Sequence, residues 1–254
     1  MYTIEDLQKI LNISLLNGSG YKISSLVGLS SQELHGRIID NSDPEFQYKR
    51  AINQLLIGLY AHDFAGFERT LDAAVFNLGI DITIRNIIVP FMETIDLLSY
   101  NDHGNQTHFV VGAIRKKLMS GIENAKPAMQ MNIDSLLLLP EGEHYDLVLL
   151  YNTYLLKSMG ARVLYLGTNI PFRNLKELRS LRSPNLIVTY LPQKSRHKPA
   201  DLSAIYQEYF PGSDIFITRP ERKTYDDLPG KNARVIHFSE IENLIQTYHP
   251  VEVC

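Results

Sequence analysis

The stretch from Ser135 to Pro171, SLLLLPEGEHYDLVLLYNTYLLKSMGARVLYLGTNIP, leaves a chain few ways to fold. Leu136–Leu139 is a short apolar run closed by Pro140, the length of a buried strand rather than of a helix. Leu147–Met159 then places apolar residues at helical spacing and stops at Gly160. Arg162–Leu166 is a second apolar run, closed by Gly167. Strand, helix and strand in that order predict a parallel pair joined by a right-handed crossover. Ligands of such sheets bind beyond the carboxyl ends of the strands. Here those ends are the loops Pro140–Asp146 and Gly167–Pro171.

The alternation runs on to the end of the chain. Short apolar runs predict strands at Ser135–Leu139, Arg162–Leu166, Asn185–Tyr190, Asp214–Thr218 and Arg234–Phe238. Helices are expected at Asp146–Met159, Phe172–Leu181, Lys198–Tyr209 and Glu240–Tyr248, while Thr224–Lys231 is too short and polar for a full one. This order specifies a doubly wound, five-stranded parallel sheet of flavodoxin or Rossmann type. Ahead of it the period is helical throughout. Phe46–Tyr60, Phe64–Leu78, Ile82–Ser99 and Gln106–Ile122 are amphipathic, with Gly79 ending the second and Pro90 kinking the third. Short connections make them a four-helix bundle, opened by Asp43 at N-cap and Pro44 at N1. The expected fold class is all-α followed by α/β: a short helical segment at 1–40, the bundle at 44–124 and the sheet at 131–254.

Composition narrows the function classes. Of the 254 residues 44% are hydrophobic and 21% charged, the balance of an ordinary globular protein. No apolar run approaches ~20 residues, so no membrane-spanning helix is expected. The first residues, MYTIEDLQKIL, are acidic and amphipathic, unlike a signal peptide. The single cysteine is Cys254, which excludes an intramolecular disulfide and argues against a cysteine zinc site. A cytoplasmic location is expected. The net charge of −3 offers nothing to a polyanion. Within 1–40, Lys9, Lys22 and Arg37 face Glu5, Asp6, Glu33 and Asp40, so this segment lacks a phosphate-binding surface. There is no G-x-G-x-x-G after the first strand, no G-x-S-x-G, and no His-x-x-x-His pairing on a helix. The chain is not expected to be an enzyme.

Two segments carry a family resemblance. At the N-terminus, Thr3 and Asp6 have capping-box spacing, apolar residues follow at helical intervals, Asn17-Gly18-Ser19-Gly20 breaks the helix, and Ser30-Ser31-Gln32-Glu33 opens another. This pattern, YTIEDLQKILNISLLNGSGYKISSLVGLSSQEL, resembles the second half of a MerR-type DNA-binding domain. The run PEGEHYDLVLLYNTYLLKSMGARVLYLGTNIP resembles the cobalamin-binding Rossmann-type domain of MerR-type transcription regulators and CarH-like photoreceptor repressors. That family places a helix-turn-helix and a wing before the matching tyrosine, so a chain starting at Met1 is expected to lack the DNA-reading half. The resemblance implies transcription regulation and cobalamin as cofactor. It also implies a homo-oligomer that responds to ligand or light, and promoter DNA bound by the intact protein, though not by this chain alone. Two other readings fit the same fold. One is a ligand-free module that holds a protein partner or a second protomer; the other is a corrinoid carrier subunit of a methyltransferase.

Within the resemblance, the family's first loop reads roughly E-x-H-x-x-G, its His being the lower axial ligand of cobalt. The matching positions here read Glu143-His144-Tyr145-Asp146-Leu147-Val148, with Tyr145 at the His and Val148 at the Gly. A phenol with a pKa of roughly 10 needs a strong cation to become a ligand, and His144 stands one position off. The family's tail groove, S-x-L and a late Gly-Gly turn, corresponds to Thr189-Tyr190-Leu191 and Thr218-Arg219, where Arg occupies space that glycine leaves open. Its upper face, a Trp and a Glu-His pair, corresponds to Ser99 and Thr107-His108. The residues the resemblance assigns to a cofactor are therefore His108, Glu143, His144, Tyr145, Asp146, Thr189, Leu191 and Thr218. Four of them have plainer readings as well: Tyr145 suits an interface aromatic packed against the bundle, and Thr218, with Arg219 and Arg222, a solvated loop. His108, three residues before Val111, suits a half-buried bundle position, and Asp146 suits the N-cap of Leu147–Met159. With the imidazole replaced, cobalamin binding is expected to be weak or absent.

Overall fold

The computed structural model describes residues 3–39, 41–98, 104–127, 129–181, 183–221, 228 and 232–246. The chain divides into two compact units, 1–113 and 114–254.

The first unit is all helix. Helices α1 (Ile4–Gly18), α2 (Ile23–Leu26) and α3 (Ser31–Ile39) lead into α4 (Pro44–Tyr60). The Thr3 hydroxyl accepts from the Asp6 N–H at 3.1 Å while the Asp6 carboxylate accepts from the Thr3 N–H at 2.9 Å, the expected capping box. Ser30 and Glu33 repeat it before α3. Leu15, Leu16, Leu26, Leu34, Ile38 and Phe46 form one small core beneath these caps. Asp43 caps α4 through the Phe46 N–H at 2.9 Å, with Pro44 in its first turn.

The bundle continues with α5 (Phe64–Thr83), a π-turn at Ile84–Ile88, α6 (Val89–Leu98) and α7 (Gly104–Asn124). Phe67 lies 5.6 Å from Phe91 and 5.4 Å from Phe109, ring centre to ring centre, so one aromatic stack links α5, α6 and α7. By length and composition alone the run Phe64–Ile95 could cross a membrane, contrary to the expectation from uninterrupted apolar runs. Gly79 breaks it, with φ 79° and ψ 167°, where the sequence ends a helix. Asp72, Asp81 and Arg85 interrupt its apolar surface, and Phe67, Leu71, Ile87 and Phe91 are buried in the unit's own core. Ser99 lies outside the described residues.

The second unit holds the sheet. Strands β1 (Asp134–Pro140), β2 (Arg162–Ile170), β3 (Leu186–Tyr190), β4 (Asp214–Arg219) and β5 (Ala233–His237) pair in the order β2-β1-β3-β4-β5. Every pairing is parallel. Helices α8 (Leu147–Ser158), α9 (Phe172–Leu181), α10 (Pro199–Tyr209) and α11 (Ile241–Gln246) alternate with them, α11 following a short turn at Phe238–Glu240. Tyr248 and most of Thr224–Lys231 fall outside the described residues. Leu136, Leu138, Ile187 and Ile217 pack with Leu175 of α9 and Leu202 and Tyr206 of α10. By the two-residue alternation of strands, Leu137, Leu139 and Val188 face the other side, where α8 lies.

Strand β2 outruns its expected end at Leu166. Gly167, with φ +94°, sits where the β1 register shifts, and pairing resumes as far as Pro140 opposite Ile170. A glycine read from sequence as a stop is therefore a bulge. β2 is also an edge strand. At the other end of α8, Gly160 adopts φ +99° and its carbonyl accepts from the Met131 N–H at 2.9 Å, laying the segment before β1 across the helix terminus.

Candidate functional site

The crevice between β1 and β3 is where the strand order reverses, the usual ligand position of such sheets. Both loops that frame it are fastened. Gly142, with φ +86°, donates its N–H to Asn169 Oδ1 at 2.8 Å. Asn169, itself left-handed at φ 56°, donates its N–H to the Glu143 carbonyl at 3.0 Å. From the β3 side, the Ser195 hydroxyl donates to Glu143 Oε1 at 2.5 Å, and Arg196 Nη2 donates to the Glu141 carbonyl at 2.6 Å. His197 Nε2 lies 2.7 Å from that same carbonyl. Its ring stands edge-on to Phe172 at 5.7 Å, which adds the start of α9 to the clasp.

Gly142 has to be glycine for its backbone. A methyl group there would lie 2.6 Å from the Arg196 guanidinium, a side-chain end that can move aside, so the left-handed φ is the larger cost. Gly142→Ala is expected to destabilise the protein by about 1–2 kcal/mol, read as a lower urea midpoint at unchanged slope.

Asp146 does something other than cap. It occupies the N-cap position of α8, but its side chain makes no capping hydrogen bond. Its carboxylate accepts from Arg115 of α7, at 2.6 Å from Nη2 and 3.1 Å from Nε, and from the Tyr165 hydroxyl of β2 at 3.3 Å. Two charged guanidinium donors on Oδ1, with the phenol on Oδ2, outcompete one main-chain N–H for this carboxylate. Burial, and then the Asp146 charge, push the Tyr165 phenol up to about 12 against the opposing pull of Arg115. A phenol whose pKa is raised on folding stabilises the fold below its unfolded pKa of roughly 10 and loses that contribution as pH rises toward 12. Between pH 9 and 11.5 the wild type is therefore expected to lose more stability than Tyr165→Phe. Denaturant titrations at the two pH values give the comparison, and equal losses would remove Tyr165 from the account.

The other residues assigned from sequence are dispersed. Glu143 is buried and held by Ser195, whereas His144 is exposed and Tyr145 is 38% exposed. His108 is exposed, not half-buried on an apolar face. The residues of α7 that turn inward are Phe109, Val110 and Ala113, one helical step away from the side that counting from Val111 selects. Thr189, Leu191 and Thr218 are fully buried. The Thr189 hydroxyl donates to the Leu138 carbonyl at 2.8 Å, and the Thr218 hydroxyl donates to the Thr189 carbonyl at 2.9 Å. Thr218 also accepts from the Asn152 amide of α8 at 3.1 Å. Arg219 is buried and paired with Glu221 at 2.9 Å. Asn152 Oδ1 is buried with no hydrogen-bond partner among the described residues.

Ser195, Arg196, His197, Asn169, Arg115 and Tyr165 were not singled out by the sequence. For the first three there is a cue, the polar and basic run Lys194–Lys198 directly after the third strand. Arg115 and Asn169 offer none, since their partners are distant in the chain.

No family model matches the chain, and no curated protein matches it. Among solved structures, the monomethylamine corrinoid protein of Methanosarcina barkeri aligns over 78% of this chain and 98% of its own, with 15% identity and a TM-score of 0.61. The chain has the fold of a corrinoid protein. The methanol:cobalamin methyltransferase complex of the same organism aligns over 89% and 92% at 13% identity, with a TM-score of 0.41 that adds nothing to the argument.

Sharing that fold, the chain can be asked whether its residues suit a corrinoid whose cobalt takes a protein imidazole and whose tail enters the sheet. They do not. The residue that the resemblance sets at the imidazole is Tyr145, a phenol, and the hydroxyls of Thr189 and Thr218 donate to main-chain carbonyls. Where the resemblance sets a close-approach glycine stands Arg219, buried and paired with the partly exposed Glu221. Opening that groove would strand buried polar groups, each at a cost of about 1–3 kcal/mol.

Proposed function

We propose that the chain is the sensor and oligomerisation region of a MerR-like transcription regulator, built on a cobalamin-domain fold that no longer ligates cobalt. The observation that carries this reading is the fastened crevice. Glu143 and the main chain of Glu141–Glu143 are bound by Asn169 near the end of β2 and by residues of the loop after β3, which occupies the polar groups a ligand would use. The regulator half of the reading is supported by the two capping boxes and the small core of α1–α3, which match the N-terminal sequence pattern. On this reading the chain is not a catalyst, and its partners are further protomers and, through the intact protein, promoter DNA. Sedimentation equilibrium at micromolar concentrations is expected to give a dimer or larger species, unchanged by adenosylcobalamin, hydroxocobalamin or light. A monomer, or an assembly that appears only with a cobalamin, would overturn the proposal.

A second reading has one observation in its favour. The corrinoid protein of Methanosarcina barkeri is covered over 98% of its length, so this chain contains the whole of that architecture. A corrinoid carrier for a methyltransferase would retain a cobalamin through desalting, which separates the two readings.

A further inference from the structure

Net charge conceals an uneven distribution. From Phe172 to Lys198 the chain has seven Lys or Arg residues and one acidic residue, Glu177, although the whole protein carries −3. Arg173, Lys176 and Arg179 follow one another at three-residue intervals along α9, neighbouring positions on a helix surface. Lys194, Arg196 and Lys198 stand on the loop after β3, and the edge-on contact of His197 with Phe172 joins that loop to the start of α9. All six are exposed. Among the described residues no carboxylate neutralises any of them: Arg179 and Arg196 donate to the main-chain carbonyls of Glu208 and Glu141, and the other four have no ion pair. Elsewhere in this unit Arg115, Arg162 and Arg219 are each matched to a carboxylate. The acidic side chains of α9 and α10 are only Glu177, Asp201 and Glu208.

We infer that α9 and the Lys194–Lys198 loop form a surface that contacts the phosphate backbone of duplex nucleic acid without reading its sequence. The chemistry of the patch decides between the two kinds of partner such a face could meet, a protein and a nucleic acid. Protein interfaces are depleted of Lys and centre on apolar or aromatic anchors; here the one large apolar side chain of α9 that is exposed, Leu181, stands at its last residue, past the three cations of the helix. Phosphate contacts need only cations and donors spaced along a surface. The rest of the chain is net acidic, so the affinity is expected to be that of non-specific binding, roughly 10–100 μM at low salt. That is compatible with the absence of tight DNA binding expected from the N-terminal segment. In an intact regulator already held on promoter DNA, a tethered contact of this strength works at an effective concentration near millimolar. The inference rests on the charge map alone and survives failure of the regulator reading.

Fluorescence anisotropy with a labelled random-sequence duplex tests it. Binding is expected at about 20 mM salt, with a log–log salt slope near −3 if roughly three phosphates are neutralised. The triple variant Arg173→Glu, Lys176→Glu, Lys194→Glu is expected to weaken it at least tenfold, whereas Lys22→Glu, Lys49→Glu, Arg50→Glu on the other unit leaves it within about twofold. Circular dichroism establishes that both variants fold, and the corresponding alanine triples give the same ranking if charge reversal disturbs either. No binding at the highest attainable protein concentration would overturn the inference, as would equal losses in the two triples. Salt-sensitive self-association abolished by the α9 triple, without DNA binding, would reassign the face to a protein partner and overturn it too.

Discussion

Mixed with excess hydroxocobalamin or adenosylcobalamin and passed through a desalting column, the chain is expected to emerge colourless. By the resemblance, Tyr145 supplies a phenol where the family places its cobalt-ligating imidazole. The tail has no groove without displacing buried Arg219 from its pair with Glu221 and breaking the Thr189 and Thr218 hydrogen bonds. Overpacking alone costs about 1–3 kcal/mol per site, and each ~1.4 kcal/mol is tenfold in affinity. Two such sites and a lost ligand together weaken binding by several orders of magnitude. Tyr145→His by itself is expected to leave the protein colourless, because the imidazole would return to a site whose groove stays filled. A red protein with a shifted corrin spectrum, in wild type or in Tyr145→His, would show that the groove opens more cheaply than its hydrogen bonds imply.

Gly160→Ala is expected to be among the most damaging single substitutions. The added carbon would lie 2.0 Å from the Met129 carbonyl oxygen, and the residue holds φ +99°. Unlike the neighbour of Gly142, this neighbour is main chain, fixed in turn by the Met131–Gly160 hydrogen bond, and cannot rotate away. Backbone strain and displacement of the segment before β1 together are expected to cost roughly 3–5 kcal/mol. Thermal and urea unfolding would show the loss, and a variant within about 1 kcal/mol of wild type would refute this geometry.

The contrast between those two glycines shows what the sequence could and could not say. Gly160 was legible as a helix stop, because a terminus read from periodicity is a local matter. That a distant carbonyl rests on it was not legible, because that contact is long-range. Gly167 reads in the sequence as a strand end and is a bulge in the structure, since the two share the same residue and differ only in what the neighbouring strand does. The order of elements, the parallel sheet and the capping residues Thr3, Ser30 and Asp43 follow from short-range rules and agree with the structure. Asp146 shows where such rules give out. It stands at a preferred N-cap position, yet Arg115, 31 positions earlier, takes its carboxylate. The cofactor positions are proposed by resemblance alone, and the contacts around Glu141–Glu143 belong to Ser195, Arg196 and Asn169, whose significance appears only once the ends of β1, β2 and β3 meet.

Strand β2 has a practical consequence for anyone handling this protein. It is the outermost strand on its side and reads RVLYLGTNI, so its one formal charge is Arg162, already paired with Asp134 at 2.7 Å. Sheets commonly guard such an edge with lysine, proline or a bulge. Here the protection is the irregularity around Gly167, and the stretch Val163–Leu166 ahead of it has no gatekeeper. The stretch Val163–Leu166 is therefore expected to limit colloidal stability on warming or concentration. A lysine at an outward position of that stretch is the natural first change for keeping concentrated samples clear.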